Sequence, residues 1–333
     1  MALRQLDLDE PHQQIDLIGL DEARRIALTN PNKSTRARML RRVEDAHDLL
    51  SEMPALEDVA FAHSALCQVF LPHKRPADNH TPWRRQSGRA TLWVRPGLMR
   101  ERRGDKDDAL NDYVGVPFGP KARLIMIFMQ SEVRKRKTRE IFLGKNLSSF
   151  MRALELPNTG GPRGAIVQVK EQFKRIVRSS FTIQFDGDDT VSISDTNLVE
   201  GLHMSNLSSE DWTATIQLSQ SFFNHLMKHA VPLDRRGIAH LSNNSLGLDL
   251  YALFAHRLPR LNRELRLSWE KLQEQIGSEY KQPRDLSRAV RTVLPEVKIA
   301  YPHANVEVGK GGLVLRPSKE VVPKTIVQGF TLN

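Results

Sequence analysis

The strongest periodic signal in the chain lies in GGPRGAIVQVKEQFKRIVRS. At 100° per residue, Ile166, Val169, Phe173, Ile176 and Val177 gather on one apolar arc. Arg163, Lys170, Lys174 and Arg178 gather on a second arc beside it. The pattern predicts a helix over 163–178 that packs by one face and carries cations on another. Two strands are then expected, 181–185 and 190–194, split by the acidic turn Asp186-Gly187-Asp188-Asp189. A shorter helix over 147–154 and the turn Gly160-Gly161-Pro162 come before. Helix, turn, second helix, hairpin is the order of a winged helix-turn-helix.

The same order returns near the C-terminus. Trp269, Leu272 and Ile276 share one face of a helix over 268–276. Residues 277–282 form a turn, and Pro283 stands where a first helical residue can lack its N–H. The helix over 284–294 separates its faces cleanly. Leu286, Val290, Val293 and Leu294 point inward, while Arg284, Ser287, Arg288 and Arg291 occupy the opposite side. Strands are expected over 297–301, 306–308 and 313–315, with the tight turn Gly309-Lys310-Gly311-Gly312 between the last two.

Elsewhere the pattern predicts helices over 21–28, 36–53, 121–133, 220–229 and 247–258, and strands over 89–94 and 213–218. Residues 1 to about 12 read as a loose tail, 61–71 as an apolar run, and 96–112 as charged chain without an element. No helix or strand is expected beyond residue 317. The fold class is α/β of the α+β kind: tandem winged-helix domains, mostly helical with β-hairpin wings, after a helical N-terminal segment. The domain division is 1–58 for that segment, 59–262 and 263–318 for the two winged-helix units, and 319–333 for a tail.

Length and charge sharpen this reading. A chain of 333 residues can hold two ordinary domains with real cores. A formal charge of +10 and a pI near 9.8 favour a polyanionic partner. The densest positive run is Arg134, Lys135, Arg136, Lys137 and Arg139, at the end of the 121–133 helix. Arg36, Arg38, Arg41 and Arg42 crowd the start of another helix, where cations oppose the dipole. Cys67 is the single cysteine, which rules out an internal disulfide and argues against a structural zinc site. It lies in an apolar run without cationic neighbours and reads as core packing. No stretch approaches the ~20 apolar residues of a membrane span. The first residues lack the cationic start and apolar centre of a signal peptide, so a cytoplasmic protein is expected.

Several blocks occur together in a fixed order. They are Ser64-Ala65-Leu66-Cys67-Gln68 with Leu71-Pro72, VGVPFGPKARLIMIFMQSEV (114–133), REIFLGKNLSSFMRAL (139–154), GGPRG (160–164), LDLYALFAHRLPRL (248–261) and SWEKLQEQIG (268–277). In these residues the chain resembles the plasmid-encoded RepA initiator family, the iteron-type replication proteins of bacterial plasmids. The resemblance runs from about Ala62 to Ser318. It implies binding of double-stranded origin DNA, replication initiation and copy-number control without chemistry by the initiator. It also implies help in opening the origin and recruitment of the host initiator and replicative helicase. By analogy with iteron initiators, a homodimer represses and a monomer initiates, with the first winged-helix unit supplying the dimer contact and backbone contacts.

The chemistry of the residues agrees. No GxxxxGK[ST] loop occurs, so nucleotide hydrolysis is not expected. A rolling-circle nickase needs a His-apolar-His metal site, and none exists among the eleven histidines. His225 and His229 have ligand-like spacing but no adjoining Glu or third ligand. Asp186, Asp188 and Asp189 suit a hairpin turn. No catalytic residue, metal or cofactor is expected. The expected DNA contacts divide by side chain. Arg288 and Arg291 are placed at base edges, where a bidentate pair with guanine discriminates by ~1–3 kcal/mol. Lys170, Lys174 and the 134–139 run are placed at phosphates, and Arg163, Arg178, Arg284, Ser287 and Lys310 complete the set. A transcriptional repressor that occupies an operator without initiating replication is the alternative from another class, and a catalytic nickase or primase is a third.

Overall fold

The computed structural model describes residues 11–88, 90–100, 111–161, 164–186, 191–205, 213–276 and 280–330. Three helices open it: α1 (Pro11–Ile18), α2 (Leu20–Leu28) and α3 (Lys33–Ser51). The Asn32 side chain accepts from the backbone N–H groups of Ser34 and Thr35, which is what starts α3 at the end of a turn-rich stretch. Helix begins at Pro11, inside the segment expected to be loose. Proline suits that first position because its missing N–H would have no helical partner.

Strands β1 (Val59–His63), β2 (Trp83–Ser87), β3 (Ala90–Arg95), β4 (Leu98–Arg100) and β5 (Asn111–Tyr113) follow. Then come α4 (Gly119–Arg136), β6 (Glu140–Phe142), α5 (Leu147–Ala153) and α6 (Ala165–Arg178). Strands β7 (Ser180–Asp186), β8 (Val191–Asn197), β9 (Val199–Ser205) and β10 (Thr213–Leu218) lead to α7 (Gln220–His229). The chain continues through β11 (Ala230–Asp234), α8 (Arg235–His240), α9 (Ser245–Arg257), β12 (Leu265–Ser268) and α10 (Trp269–Ile276). It closes with α11 (Pro283–Ala300), β13 (Val306–Val308), β14 (Gly312–Leu315) and α12 (Lys324–Gln328).

The result is a mostly helical α/β fold in which small antiparallel hairpins flank helical bundles. Two parts of it have the same plan. In the first, α4, β6, α5 and α6 are followed by β9 and β10, and the sheet order is β6-β10-β9. In the second, α9, β12, α10 and α11 are followed by β13 and β14, and the sheet order is β12-β14-β13. Apart from β7 and β8, which lie between α6 and β9 in the chain, both run helix, strand, helix, helix, strand, strand. In both, the first strand pairs with the third.

The repetition corrects one expectation. The hairpin over 181–185 and 190–194 does form, as β7 and β8, but it is not the wing beside the first pair of helices. It adds to β3 and β2 in a four-stranded antiparallel sheet of order β2-β3-β7-β8. The reason is burial on one face: Leu92, Val94, Phe181 and Ile183 are all buried there. The acidic turn residues Gly187, Asp188 and Asp189 lie outside the described residues. The wing strands of the first part are β9 and β10, which the pattern resolved only in part.

A second correction concerns residues 297–301, expected as a strand. Helix α11 instead runs through Pro295 to Ala300. An interior proline removes one backbone hydrogen bond and costs ~3 kcal/mol. Burial of Val297, Ile299 and Ala300 offsets that cost. The His12 ring on α1 also lies 3.2 Å from the Lys298 carbonyl and 3.3 Å from that of Ile299, so the N-terminal helices pack on the end of α11. The tail is a third correction. Beyond residue 317 the chain forms α12, Val322 is buried against Val59 and Phe61, and the Phe330 ring meets Phe61 edge-on with centroids 5.4 Å apart.

One buried ion pair joins the two parts. Arg123 of α4 donates from Nε to Asp249 Oδ1 of α9 at 2.6 Å and from Nη2 to Asp249 Oδ2 at 2.7 Å. It also donates to the carbonyls of Leu71, Pro72 and Gly119. All five of its N–H groups are thereby used. A continuous apolar core surrounds this pair and reaches into both parts.

Candidate nucleic-acid interface

Each part turns from its second helix into its third through a constrained bend. In the first, Asn146 and Ser149 form a capping box at α5, with Asn146 Oδ1 accepting from Ser149 N at 2.9 Å. The turn into α6 needs Gly164, where a Cβ would stand 2.3 Å from the carbonyl oxygens of both Thr159 and Gly160. In the second, Pro283 opens α11 and Asp285 sits in its first turn, where the dipole favours an anion. The wing returns through Gly312, at φ +156°, where a Cβ would stand 2.0 Å from Leu267 O.

The third helix of the second part presents what the sequence predicts. Arg284, Arg288 and Arg291 are exposed, and Ser287 is half-buried among them. Leu286, Val290, Val293 and Leu294 are buried on the opposite face. None of the three arginines makes an ion pair or side-chain hydrogen bond with a described residue. Lys310 is exposed at the tip of the β13–β14 wing. Lys281, also exposed, stands just before α11 and belongs with this group, although no periodic pattern singles it out.

In the first part the cations are more divided. Val169, Phe173 and Ile176 are buried in α6, as the periodicity predicts. Lys170 and Lys174 are half-buried and Arg178 is exposed. Burial lowers the Lys174 ammonium pKa below its usual value. Arg163 lies outside the described residues. Arg175, one residue from Lys174, turns inward. It donates to Glu171 Oε1 at 3.0 Å, to Asn79 Oδ1 at 3.3 Å and to Val116 O at 3.1 Å, and it lies over the Phe118 ring. Next to it the buried Gln172 accepts from Phe118 N at 2.8 Å. These two side chains fasten α6 to the segment ahead of α4. Their three-residue spacing between the apolar and cationic arcs was the available signal.

The 134–139 run is not one uniform patch. Arg134 is half-buried over the Phe61 ring. Lys135 is half-buried, donates to Glu57 O at 3.1 Å and lies near the Phe330 ring, and burial lowers its pKa. Arg136 pairs with Glu132 at 2.8 Å, and Arg139 pairs with Glu200 at 2.9 Å. Arg136 and Lys137 are the exposed members. Lys145 is likewise exposed, one residue before the α5 cap, and the sequence pattern misses it.

The remaining candidates for chemistry have structural explanations. His225 stacks between His63 and His229, with ring centroids 4.7 Å and 4.3 Å away, and its Nδ1 shares a hydrogen bond with His63 Nε2 at 2.5 Å. Burial pushes His63 down to about 3, and the neighbouring His225 and His229 act in the same direction. Cys67 is fully buried, which pushes its thiol up to about 12. Among the described residues no group of three or more His, Cys, Asp or Glu could hold a metal ion. Among them, too, no helix is long and apolar enough to cross a membrane.

No curated protein matches the sequence. Among solved structures, the chain is similar to selenomethionine derivatives of domains 2 and 3 of RctB, at 10% identity and a TM-score of 0.48, covering 75% of this chain and 95% of that one. The family model for plasmid encoded RepA protein matches residues 116–271. The matched segment holds all the helices of the first part and ends inside α10 of the second. Over those residues, a little under half of its length, the chain is similar to plasmid encoded RepA protein.

Proposed function

We propose that the protein initiates plasmid replication by binding repeated (iteron) duplex sites in its origin through α6 and α11 together. The observation that carries this reading is the repeated plan of the two parts, each with cations on its third helix. Three arginines on α11 that have no side-chain partner among the described residues are the strongest element of it. A helix of this kind lies in the major groove, and two of them cover grooves about one helical turn, roughly 10 bp, apart. Arg288 and Arg291 read base edges, with Arg284 and Ser287 beside them. Lys170, Lys174, Arg178, Arg163, Lys310 and the basic run Arg134, Lys135, Arg136, Lys137 and Arg139 hold phosphates.

The division of labour that goes with this gives dimerisation and backbone contact to residues 59–262 and base reading to 263–318, with α9 as the supporting helix. Opening of an adjacent A·T-rich region, recruitment of the host initiator and replicative helicase, copy-number control and a repressing homodimer complete the reading. All of it takes place on plasmid DNA in the cytoplasm.

The test is binding of Arg288→Ala/Arg291→Ala to the protein's own repeat and to a scrambled duplex. Loss of each bidentate contact costs ~1–3 kcal/mol of discrimination. The variant is expected to lose its preference while keeping weak general affinity. Equal loss on both duplexes would assign the two arginines to phosphates. Binding of the repeat by the native protein without replication of a plasmid that carries the origin would favour a repressor.

A further inference from the structure

The four-stranded sheet β2-β3-β7-β8 has one face in the core and one face outside it. On the outer face Trp93 is 40% exposed, an unusual position for the largest side chain in a strand. Arg84 stands directly opposite it on β2, and Thr182 on β7. The Arg84 guanidinium lies over the Trp93 ring, 5.2 Å from its centroid. Arg84 also donates to Gln86 at 3.0 Å, and Gln86, Thr91 and Gln184 form the next row across the sheet. Arg95 is exposed two residues along β3 from Trp93, so the two stand about 7 Å apart on the same side. Between Trp83 and Arg95 the chain has four arginines and no Asp or Glu.

We propose that this face is a binding site for single-stranded DNA, with an unpaired base stacking at Trp93 and its backbone held by Arg84 and Arg95. Charge favours a polyanion at the β2–β3 edge, because these two strands carry cations and no carboxylate, and the acidic residue of Trp93's row, Asp195 of β8, stands two strands away. The indole selects an unpaired strand, because a base within a duplex has both faces already stacked. Thr182, directly opposite on β7, and Gln184, in the next row, are uncharged, and Trp93 itself is 40% exposed. Stacking on an aromatic tolerates any base, so the site follows a strand without reading it. It is separate from the helices assigned to duplex reading and does not depend on that assignment.

The experiment uses the full chain and a labelled oligo-dT of about 20 nucleotides, long enough to exceed a usual single-strand site. The native protein is expected to bind it with quenching of tryptophan fluorescence. Trp93→Ala should weaken binding by about 5- to 150-fold, the range seen for loss of one stacked base. Affinity for the repeat duplex should stay within about twofold, since the side chain projects from the sheet's outer face. Arg84→Ala should lower the salt slope by about 0.7, one phosphate on a single strand. Trp93→Phe keeps a stacking ring, so it should retain binding and lose the quenching, which covers the case of a misfolded alanine variant. The proposal is overturned if the native protein does not bind oligo-dT, or if Trp93→Ala binds it as tightly. Quenching that persists in Trp93→Phe, or a parallel loss of duplex and single-strand affinity, overturns it as well.

Discussion

The Arg123–Asp249 pair offers the most direct test of how the two winged-helix parts are held together. Asp249→Ala removes the carboxylate and leaves Arg123 in place, with side chains that are only 7% and 3% exposed in the native protein. Three carbonyl acceptors remain, from Leu71, Pro72 and Gly119, so two of five N–H donors lose their partners. His73 loses its contact to Asp249 Oδ2 at 2.8 Å. Each buried donor without a partner costs ~1–3 kcal/mol. Breaking a buried pair from one side costs ~3–5 kcal/mol in all, a large part of the ~5–15 kcal/mol of an ordinary domain. Urea unfolding followed by circular dichroism reads this as a lower midpoint. Asp249→Asn, which keeps an acceptor, should lie between native and Asp249→Ala. The double variant Arg123→Leu/Asp249→Leu removes the stranded charge and should be more stable than Asp249→Ala. A loss below about 1 kcal/mol for Asp249→Ala, or a double variant less stable than the single, would refute the claim that an uncompensated buried charge sets the cost.

Two further outcomes are expected. The His240 ring lies between Asp45 of α3 at 2.5 Å and Glu296 of α11 at 2.9 Å. Burial opposes its charge, but the hydrogen bonds to the two carboxylates outweigh burial and raise its pKa. A raised folded pKa gives stability that is fully present below the unfolded value of about 6.5 and lost as pH rises through the folded value. Stability should therefore fall as pH rises from about 6.5 through the folded value, and His240→Gln should flatten this part of a thermal-unfolding profile; an unchanged profile would remove His240 as the cause. On DNA, Lys170→Gln/Lys174→Gln should reduce the slope of log affinity against log salt by about two units, at ~0.9 per phosphate. An unaltered slope would take both lysines out of the interface.

The helices proposed to meet DNA were legible because their signal is local. In α6 and α11 the apolar positions recur every three or four residues, and the cations fall on what remains of the surface. Strand pairing is not local. Residues 180–186 look like one arm of a hairpin, and they are one, but β7 also pairs with β3, about ninety residues earlier. Nothing in the spacing of either strand announces the other. Pro295 failed as a helix stop because the residues after it are buried against neighbours that only the folded chain supplies. The 134–139 run shows the same limit for charge. Its composition is plain in the sequence, but the burial of Arg134 and Lys135 depends on Phe61 and Phe330, from opposite ends of the chain. Trp93 was legible as a strand residue; its exposure required knowing which face of the sheet the core covers.

The two parts share a plan and differ in the cations they present. Helix α11 offers three exposed arginines, whereas α6 offers two half-buried lysines and Arg178, and keeps Arg175 for its own attachment. The difference has a physical consequence. A guanidinium presents a planar fork that matches two acceptors on one base edge, while an ammonium is a strongly hydrated point charge suited to phosphate. An arginine already using its fork on Glu171, Asn79 and Val116 is not available to a base. If both helices enter grooves, sequence discrimination should therefore follow α11, and salt dependence should follow α6. The fixed pair between α4 and α9 suits this division, since a base-reading helix gains accuracy when its partner anchors the backbone through a rigid core. Loss of specificity on changing α11 and loss of salt slope on changing α6 are thus independent measurements of one interface.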